Sequence, residues 1–172
     1  MIGIDVGGAN LKVVDEEGVH IHYCPLWRDS NLAGILAGYT GEDAAVVMSG
    51  ELADGFFNKT EGISYIVRTV QQTFPNALFY GTDGTFHKNA CPALAAANWL
   101  ASVDYLRQKY PDGMMLDIGS TTADIVPFAR FDELLGMTDT LRLQRGYLVY
   151  TGMLRTPVAT LASAAVIGGI RT

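Results

Sequence analysis

The strongest signal for the fold is the segment Met114-Met-Leu-Asp-Ile-Gly-Ser-Thr-Thr-Ala-Asp-Ile-Val126. It predicts a short buried strand, a tight polar turn and a second buried strand. An earlier segment, Asp5-Val-Gly-Gly-Ala-Asn-Leu-Lys12, has the same plan: an aspartate, a β-branched residue, a glycine, small residues and then a charged residue. We call residues 5–12 turn 1 and residues 117–124 turn 2. Apolar residues flank both turns, so the sequence predicts the same hairpin twice.

Both turns have the composition of an anion-binding site. Glycine permits backbone conformations that direct peptide N–H groups into a concavity, and such concavities bind anions. Turn 1 ends in Lys12, a point charge for a phosphate, whereas turn 2 ends in Asp124. Asp5 and Asp117 are hard oxygen ligands of the kind that Mg²⁺ takes beside phosphates. A single Asp-x-Gly turn is commonly a plain structural hairpin, but two copies with matched flanks favour a paired site for a metal-bound phosphate.

Composition indicates a compact globular protein. The 172 residues are 49% hydrophobic and 17% charged, enough for a substantial core. A formal net charge of −6 with 12 Lys and Arg lacks the basic footprint of a nucleic-acid-binding protein. The apolar runs at 93–97 and 159–167 are too short or too broken to span a membrane. We therefore expect a cytoplasmic protein that binds neither nucleic acid nor membranes.

The predicted elements follow the order β-β-β-α-β-α-β-α and then the second hairpin. Strands are predicted at 1–4, 11–14, 19–23, 44–48 and 77–80, and helices from the N-cap Ser30 to Gly38, at 62–74 and, rich in alanine, at 90–110. Later residues predict a helical turn at 131–135, strands at 141–143 and 147–150, and either element at 160–167.

Two smaller features have mainly structural interpretations. His20 and His22 share one face of the third strand, and without a Cys or carboxylate at ligand spacing they are predicted to face solvent. Cys24 and Cys91 are in no metal-ligand spacing, so they are predicted to be reduced packing residues.

The order of elements resembles one half of the actin, sugar-kinase and Hsp70 superfamily. Within it, several stretches resemble the hydantoinase/oxoprolinase-like proteins linked to one-carbon metabolism on tetrahydromethanopterin and methanofuran. Those stretches are residues 2–12, 49–54, 97–99, 117–127 and 143–157. The most specific are Gly50-Glu-Leu-Ala-Asp54 and Tyr150-Thr-Gly-Met-Leu-Arg-Thr-Pro157.

The resemblance implies an α/β, actin-like ATPase (ribonuclease H-like) fold in which the two turns meet across a cleft. Residues 1–112 are expected to form the first lobe with turn 1, and residues 113–172 the start of a second lobe with turn 2. Since family members are longer, the second lobe is expected to be incomplete in this chain. The missing portion is expected to complete the cleft and to take part in a homodimer.

The resemblance also implies a transferase of methanofuran biosynthesis, which condenses a (5-aminomethyl-furan-3-yl)methyl diphosphate with γ-glutamyltyramine and releases diphosphate. Mg²⁺ is then expected on Asp5, Asp117 and Asp124, with Asp124 or Glu51 accepting the phenol proton. The phosphate-binding residues would be Lys12 with Gly7, Gly8, Asn10, Gly119, Ser120, Thr121 and Thr122. Arg155 suits a phosphate or the γ-glutamyl carboxylate, although a surface ion pair is equally expected.

Two other functions use the same turns. An ATP-dependent kinase or a hydantoinase/oxoprolinase-type hydrolase would hold the β- and γ-phosphates of ATP with Mg²⁺, and it predicts an adenosine-binding Gly-Gly segment. A non-catalytic nucleotide-binding scaffold predicts phosphate binding without turnover and a hinge that closes over the nucleotide. The family-specific segments favour the transferase over both.

Overall fold

The computed structural model describes residues 1–28, 30–39, 41, 43–154, 156–161, 166–167 and 170–171. The chain is an α/β protein that divides into two compact units, Met1–Ser102 and Val103–Thr172. The predicted boundary between residues 112 and 113 stays a prediction. No helix in the described part of the chain combines the length and the apolar character needed to cross a membrane.

The first unit is built on a mixed six-stranded sheet with the strand order β3-β2-β1-β4-β5-β6. The strands are β1 (Ile2–Val6), β2 (Asn10–Val14), β3 (Val19–Tyr23), β4 (Ala44–Met48), β5 (Leu78–Tyr80) and β6 (Phe86–His87). β1, β2 and β3 form an antiparallel meander, and β4 and β5 extend the sheet in parallel from β1. The predicted meander is therefore confirmed.

One face of this sheet holds the main core. Alternate residues of β1 and β4 are buried, as the period of two in a strand requires. Two helices contribute to the same core: α1 (Leu32–Leu36) and α2 (Lys59–Thr73). The buried residues of α2 recur at helical spacing, and they include Ile63, Ile66, Val67 and Val70.

α2 begins with a reciprocal cap. The Asn58 side chain accepts a hydrogen bond from the Glu61 N–H at 2.9 Å, and the Glu61 carboxylate accepts one from the Phe57 N–H at 2.7 Å. Together these side chains satisfy two backbone donors at the start of the helix. The helix thus starts before the predicted residue 62.

We expect Asn58→Ala to lower the free energy of unfolding by about 1 kcal/mol, because the orphan N–H of Glu61 loses its acceptor. Asn31 is the matched control, since it precedes α1 without a side-chain cap. Urea unfolding of both variants measures the difference, and equal losses from the two substitutions would contradict the cap assignment.

The long alanine-rich helix predicted over 90–110 is wrong. A 3₁₀ turn spans Pro92–Leu94, Ala96 has a left-handed backbone with φ of 47°, and α3 covers only Asn98–Arg107. The break buries Leu94 in the main core, and such tertiary packing overrides the helix propensity of alanine. The first helix also differs from its prediction, because α1 begins at Leu32 with Asn31, not Ser30, at the N-cap.

The side chains of β3 face the opposite way from the prediction. His20 and His22 are half-buried, whereas the apolar residues between and beside them are exposed. His20 Nε2 lies 3.0 Å from Asp15 Oδ1, and His22 Nε2 contacts the Tyr39 hydroxyl. The hydrogen bond with His20 holds the pKa of Asp15 below its usual value. The prediction that both histidines face solvent is therefore wrong, because each packs beside a polar partner on the first unit.

The second unit is built on an antiparallel sheet with the order β7-β8-β9. Its elements are β7 (Met114–Ile118), β8 (Ala123–Pro127), a 3₁₀ turn at Phe131–Glu133, α4 (Asp139–Arg145), β9 (Leu148–Val149), α5 (Val158–Leu161) and the pair β10 (Val166–Ile167) and β11 (Ile170–Arg171). The helical turn near 131 and the strand within 147–150 are confirmed. Of the range 160–167, residues 162–165 lie outside the described residues.

The strand predicted at 141–143 is wrong, because these residues lie inside α4. The Thr138 hydroxyl caps the helix by accepting from the Leu141 N–H, and Gly146 ends it with a left-handed φ of 71°. A threonine before the helix and a glycine after it were helix signals that the short apolar alternation obscured.

Candidate functional site

Turn 1 links β1 to β2 and is closed by a hydrogen bond from the Gly7 N–H to the Asn10 carbonyl at 3.0 Å. The Gly7 amide therefore shapes the turn. Gly8 has open space where a side chain would begin, with no atom within 4 Å, and Asn10 is exposed. Because the Gly7 N–H is already bonded, the amides of turn 1 that could bind an anion are those at the tip of the hairpin around Gly8.

The two charged residues of turn 1 are paired across the strands. Asp5 lies opposite Lys12, and Lys12 Nζ is 2.7 Å from Asp5 Oδ2. The other oxygen, Asp5 Oδ1, is buried and has no hydrogen-bond partner within the described residues. Lys12 keeps half of its side chain exposed. The pair therefore offers one cation and one carboxylate oxygen to a ligand.

The segment after β4 packs against the backbone of turn 1. The N–H groups of Ser49 and Gly50 both donate to the Val6 carbonyl, at 3.0 and 3.1 Å. A Cβ on Gly50 would lie 2.8 Å from the Gly7 carbonyl oxygen, so this close approach requires glycine. Glu51 follows directly and is only 1% exposed, whereas Asp54 is exposed. The structure therefore brings Glu51, but not the Asp54 carboxylate, into the interior beside turn 1.

Turn 2 links β7 to β8 and repeats the closure of turn 1. The Gly119 N–H donates to the Thr122 carbonyl at 2.8 Å, so the predicted second hairpin is confirmed. The hydroxyls of Ser120 and Thr121 lie 3.5 Å apart at its tip. As in turn 1, the first glycine shapes the turn, and the tip residues present the polar groups.

The segment that follows β9 is bonded to turn 2. The Met153 N–H donates to the Gly119 carbonyl at 3.0 Å, and the Leu154 N–H donates to the Ser120 carbonyl at 3.1 Å. A Cβ on Gly152 would lie 2.5 Å from the Ser120 carbonyl oxygen. Residues 152–154, which belong to one of the two most specific stretches of the sequence, therefore support the backbone of turn 2. Arg155, which was predicted to bind an anion, lies outside the described residues.

We expect Gly152→Ala to lower the free energy of unfolding by about 1–3 kcal/mol, because the added methyl group overlaps backbone atoms that cannot rotate away. Gly8→Ala is the control for the effect of adding a methyl group to a glycine, since the space beside Gly8 is open and its backbone φ is not positive. Chemical denaturation monitored by circular dichroism measures both. A Gly152→Ala variant as stable as Gly8→Ala would contradict the close packing of this segment on turn 2.

Arg142 is a site residue that the sequence reasoning missed. Arg142 is 3% exposed, and its guanidinium contacts both Asp124 Oδ1 of β8 and, at 3.1 Å, Asp139 Oδ1 of α4. Burial lowers the pKa of Arg142 to about 10, so the group remains charged at neutral pH. No local pattern could identify this cation, since it reaches Asp124 through the packing of α4 beside β8.

The two carboxylates of turn 2 have different surroundings, although the strands pair Asp117 directly opposite Asp124. Asp117 is exposed. The Arg142 guanidinium contacts Asp124 Oδ1, so the negative charge of the Asp124 carboxylate is balanced. Of the carboxylates predicted to bind a metal, Asp5 and Asp117 thus have oxygens available to a ligand, whereas Asp124 already has a cationic partner.

The donor groups fit Mg²⁺ in one specific mode. Among the described residues there is no cluster of three or more His, Cys, Asp or Glu side chains that could hold a metal alone. Mg²⁺ commonly binds through one or two carboxylates, retained waters and substrate phosphates. Asp5 Oδ1 in the first unit is buried and unpartnered within the described residues, and the Asp117 carboxylate in the second unit is exposed, so each by itself is an oxygen donor of the kind that this mode uses.

Comparison with known proteins gives two kinds of match. The family model described as Hydantoinase/oxoprolinase matches residues 42–172. The chain is also 36% identical, over 95% of its length, to the (4-{4-[2-(γ-L-glutamylamino)ethyl]phenoxymethyl}furan-2-yl)methanamine synthase of Methanocaldococcus jannaschii, of which it covers 54%. A protein of the same name from Methanococcus vannielii is 40% identical over 50 residues, which are 29% of this chain and 22% of that protein. The chain thus spans about half the length of the first relative.

Proposed function

The chain belongs to the hydantoinase/oxoprolinase family, and we propose that it provides the phosphate-binding turns of an aryl-ether-forming transferase in methanofuran biosynthesis. The observation that carries the proposal is the similarity of nearly the whole chain to the Methanocaldococcus jannaschii synthase. The geometry of the two turns supports it, because each hairpin combines a glycine closure, small residues and a carboxylate.

The name of that relative describes the bond to be made. Its product carries a phenoxymethyl group that joins a furan to a phenyl ring bearing a γ-glutamylaminoethyl chain. We infer substrates of two kinds, a furan-methyl diphosphate and γ-glutamyltyramine. The phenol oxygen forms a bond to the furan methylene carbon, the carbon–oxygen bond to diphosphate breaks, and the phenol proton goes to a base. Diphosphate is the leaving group, so its negative charge must be stabilised as it develops.

The residues of this chain have distinct roles in that proposal. Lys12 and the tip of turn 1 at Gly8 bind phosphate oxygens, and the Ser120 and Thr121 tip of turn 2 donates further hydrogen bonds. These groups are fixed by the hairpins before the substrate arrives, which avoids reorganisation during the reaction. Mg²⁺, held by Asp5 and Asp117, would supply Lewis-acid neutralisation of the diphosphate charge when bound.

The phenol proton is assigned to Asp124. Of the two predicted bases, Glu51 is 1% exposed, whereas the Asp124 side chain retains 16% exposure and lies next to the polar tip of turn 2. The Arg142 guanidinium contacts this carboxylate. Asp124 therefore serves the proton transfer in this proposal, and its predicted part in metal binding passes to Asp5 and Asp117.

We further propose that the first unit is the first lobe of an actin-like ATPase fold. An antiparallel meander that continues into two parallel strands is the layout that this superfamily resemblance implies, and the sheet order β3-β2-β1-β4-β5 supports it. The meeting of the two turns across a cleft stays a prediction.

A mass-spectrometric turnover assay tests the function. The chain itself, and a chimera in which it replaces the matched part of the Methanocaldococcus jannaschii synthase, are each given the furan-methyl diphosphate, γ-glutamyltyramine and Mg²⁺. The unmodified synthase is the positive control. Ether and diphosphate from the chimera are the expected products, and an inactive chimera that is folded by circular dichroism would overturn the proposal.

An ATP-handling reaction is the second candidate, favoured by the description of the family whose model matches the chain. The same turns suit the β- and γ-phosphates of ATP with Mg²⁺. A parallel assay that contains ATP separates the two functions, because ADP formation without ether assigns the chain to the ATP-handling class. Nucleotide binding without either product would favour the scaffold.

A further inference from the structure

The edge strand β3 exposes an apolar face. β3 ends the six-stranded sheet, and its residues Val19, Ile21 and Tyr23 are 69%, 66% and 69% exposed. Natural proteins commonly protect such edges with a charged side chain, a proline or a bulge. The five residues of β3 include none of these devices.

The backbone of β3 is also open on its outer side. Paired residues of an antiparallel ladder alternate between hydrogen-bonded and non-hydrogen-bonded positions. The Cys24 N–H donates to the Ala9 carbonyl, which marks one hydrogen-bonded pair at the end of the β2–β3 ladder. Since hydrogen-bonded pairs recur at every second residue of the β2–β3 register, the peptide groups of His22 and His20 also point toward β2. The peptide groups of the odd-numbered residues therefore point away from the sheet.

We propose that this edge pairs with the same edge of a second copy of the chain. The two β3 strands run antiparallel about a two-fold axis at Ile21. Ile21 then lies opposite Ile21 of the second copy, and Val19 lies opposite Tyr23 of the second copy. Every outward-facing peptide group in β3 gains a partner, and the apolar side chains form one continuous cross-strand face.

Charge supports a second copy in this orientation. The turn that precedes β3 is acidic at residues 15–17, whereas residues 24–28 that follow it contain Arg28 as their one charged residue. Antiparallel pairing places the acidic turn of one copy beside the 24–28 segment of the other. Parallel pairing would instead place the two acidic turns side by side. The interface is isologous, as in most homodimers.

Site-specific disulfide cross-linking tests both the partner and the register. The background carries Cys24→Ala and Cys91→Ser, because these are the native free cysteines. In the proposed pair, the two Cα atoms at position 21 are about 5.5 Å apart, within the range of a disulfide. The Cα atom of residue 19 lies opposite residue 23 of the second copy, so it is about 14 Å from the Cα atom of residue 19 in that copy. A disulfide cannot bridge this distance.

We expect Ile21→Cys to oxidise mainly to a covalent dimer and Val19→Cys, which is equally exposed, to remain monomeric. A mixture of the Val19→Cys and Tyr23→Cys chains should form the mixed dimer. Sedimentation of the unmodified chain should show a concentration-dependent dimer that Ile21→Lys removes. A chain that stays monomeric at all concentrations, or equal cross-linking at positions 19 and 21, would overturn the proposal. Neither readout depends on catalysis, so the proposed transferase and this dimer fail or succeed separately.

Discussion

Asp117→Asn should reduce ether formation by the chimera by a factor of about 10²–10³. This is the usual effect of removing one group that stabilises charge in the transition state. The substitution keeps the shape of the side chain but removes its negative charge, so the proposed Mg²⁺ site would lose one of its ligands. Because Asp117 is exposed, the melting temperature of the variant should remain that of the parent.

Asp112→Asn is the matched control, since Asp112 is also an exposed aspartate of the second unit but lies before β7. It should leave turnover unchanged. Raising the Mg²⁺ concentration should recover part of the Asp117→Asn activity if the lost group is a metal ligand. Full activity of Asp117→Asn at low Mg²⁺ would remove Asp117 from the site.

Arg142→Met should give the largest loss of stability, about 3 kcal/mol, because removal of a buried cation leaves its carboxylate partners uncompensated. Asp124 loses its contact with the guanidinium, and Asp139 loses a 3.1 Å ion pair. The value is at the lower end of the usual range since Asp139 is 36% exposed and retains water as a partner. Amide hydrogen exchange in β8 and β9 measures this loss in the second unit itself.

Two further variants make the Arg142 result specific. Arg130→Met should change stability little, because the Arg130 side chain is 77% exposed and its ion pair with Glu133 is at the surface. Adding Asp124→Asn to Arg142→Met should restore part of the loss, since the unpaired charge is then absent. Equal protection of β8 amides in the parent and in Arg142→Met would contradict a structural ion pair.

The parts of the fold that the sequence predicted correctly are those whose signals are local. Each hairpin is encoded by a glycine turn between short apolar runs, and β1 to β3 and β7 to β8 form as expected. The helix α2 was found through its apolar spacing, although its start was missed because the capping pair at Asn58 and Glu61 precedes the apolar residues.

The errors share a different cause, because packing between distant segments decides those regions. Alanine propensity predicted one long helix, but burial of Leu94 breaks it before α3. Alternation in β3 predicted that its histidines face solvent, but Asp15 and Tyr39 hold them and the apolar residues face outward. A pattern of alternating residues identifies two faces of a strand without saying which face is covered.

The candidate site shows the same division. Turn composition predicted that Asp5, Lys12 and Asp117 belong to two hairpins, and the strand pairing confirms this. Their binding of an anion stays a prediction. Arg142 and Gly152 could not be found in this way, because each acts on turn 2 from a separate segment. A close backbone approach that excludes a Cβ, and a guanidinium that reaches across to a strand, become visible only in three dimensions.

The affinity of this chain for diphosphate in the presence of Mg²⁺ is the most direct test of the proposed phosphate site, and isothermal titration calorimetry measures it without requiring turnover. We expect saturable binding that weakens at least about tenfold in Lys12→Gln, since a charge-assisted contact to phosphate contributes about 1.5–3 kcal/mol. Lys109→Gln, an exposed lysine outside both turns, should bind as the parent does. Absence of binding, or equal affinity of Lys12→Gln and the parent, would contradict the assignment of turn 1 as a phosphate site.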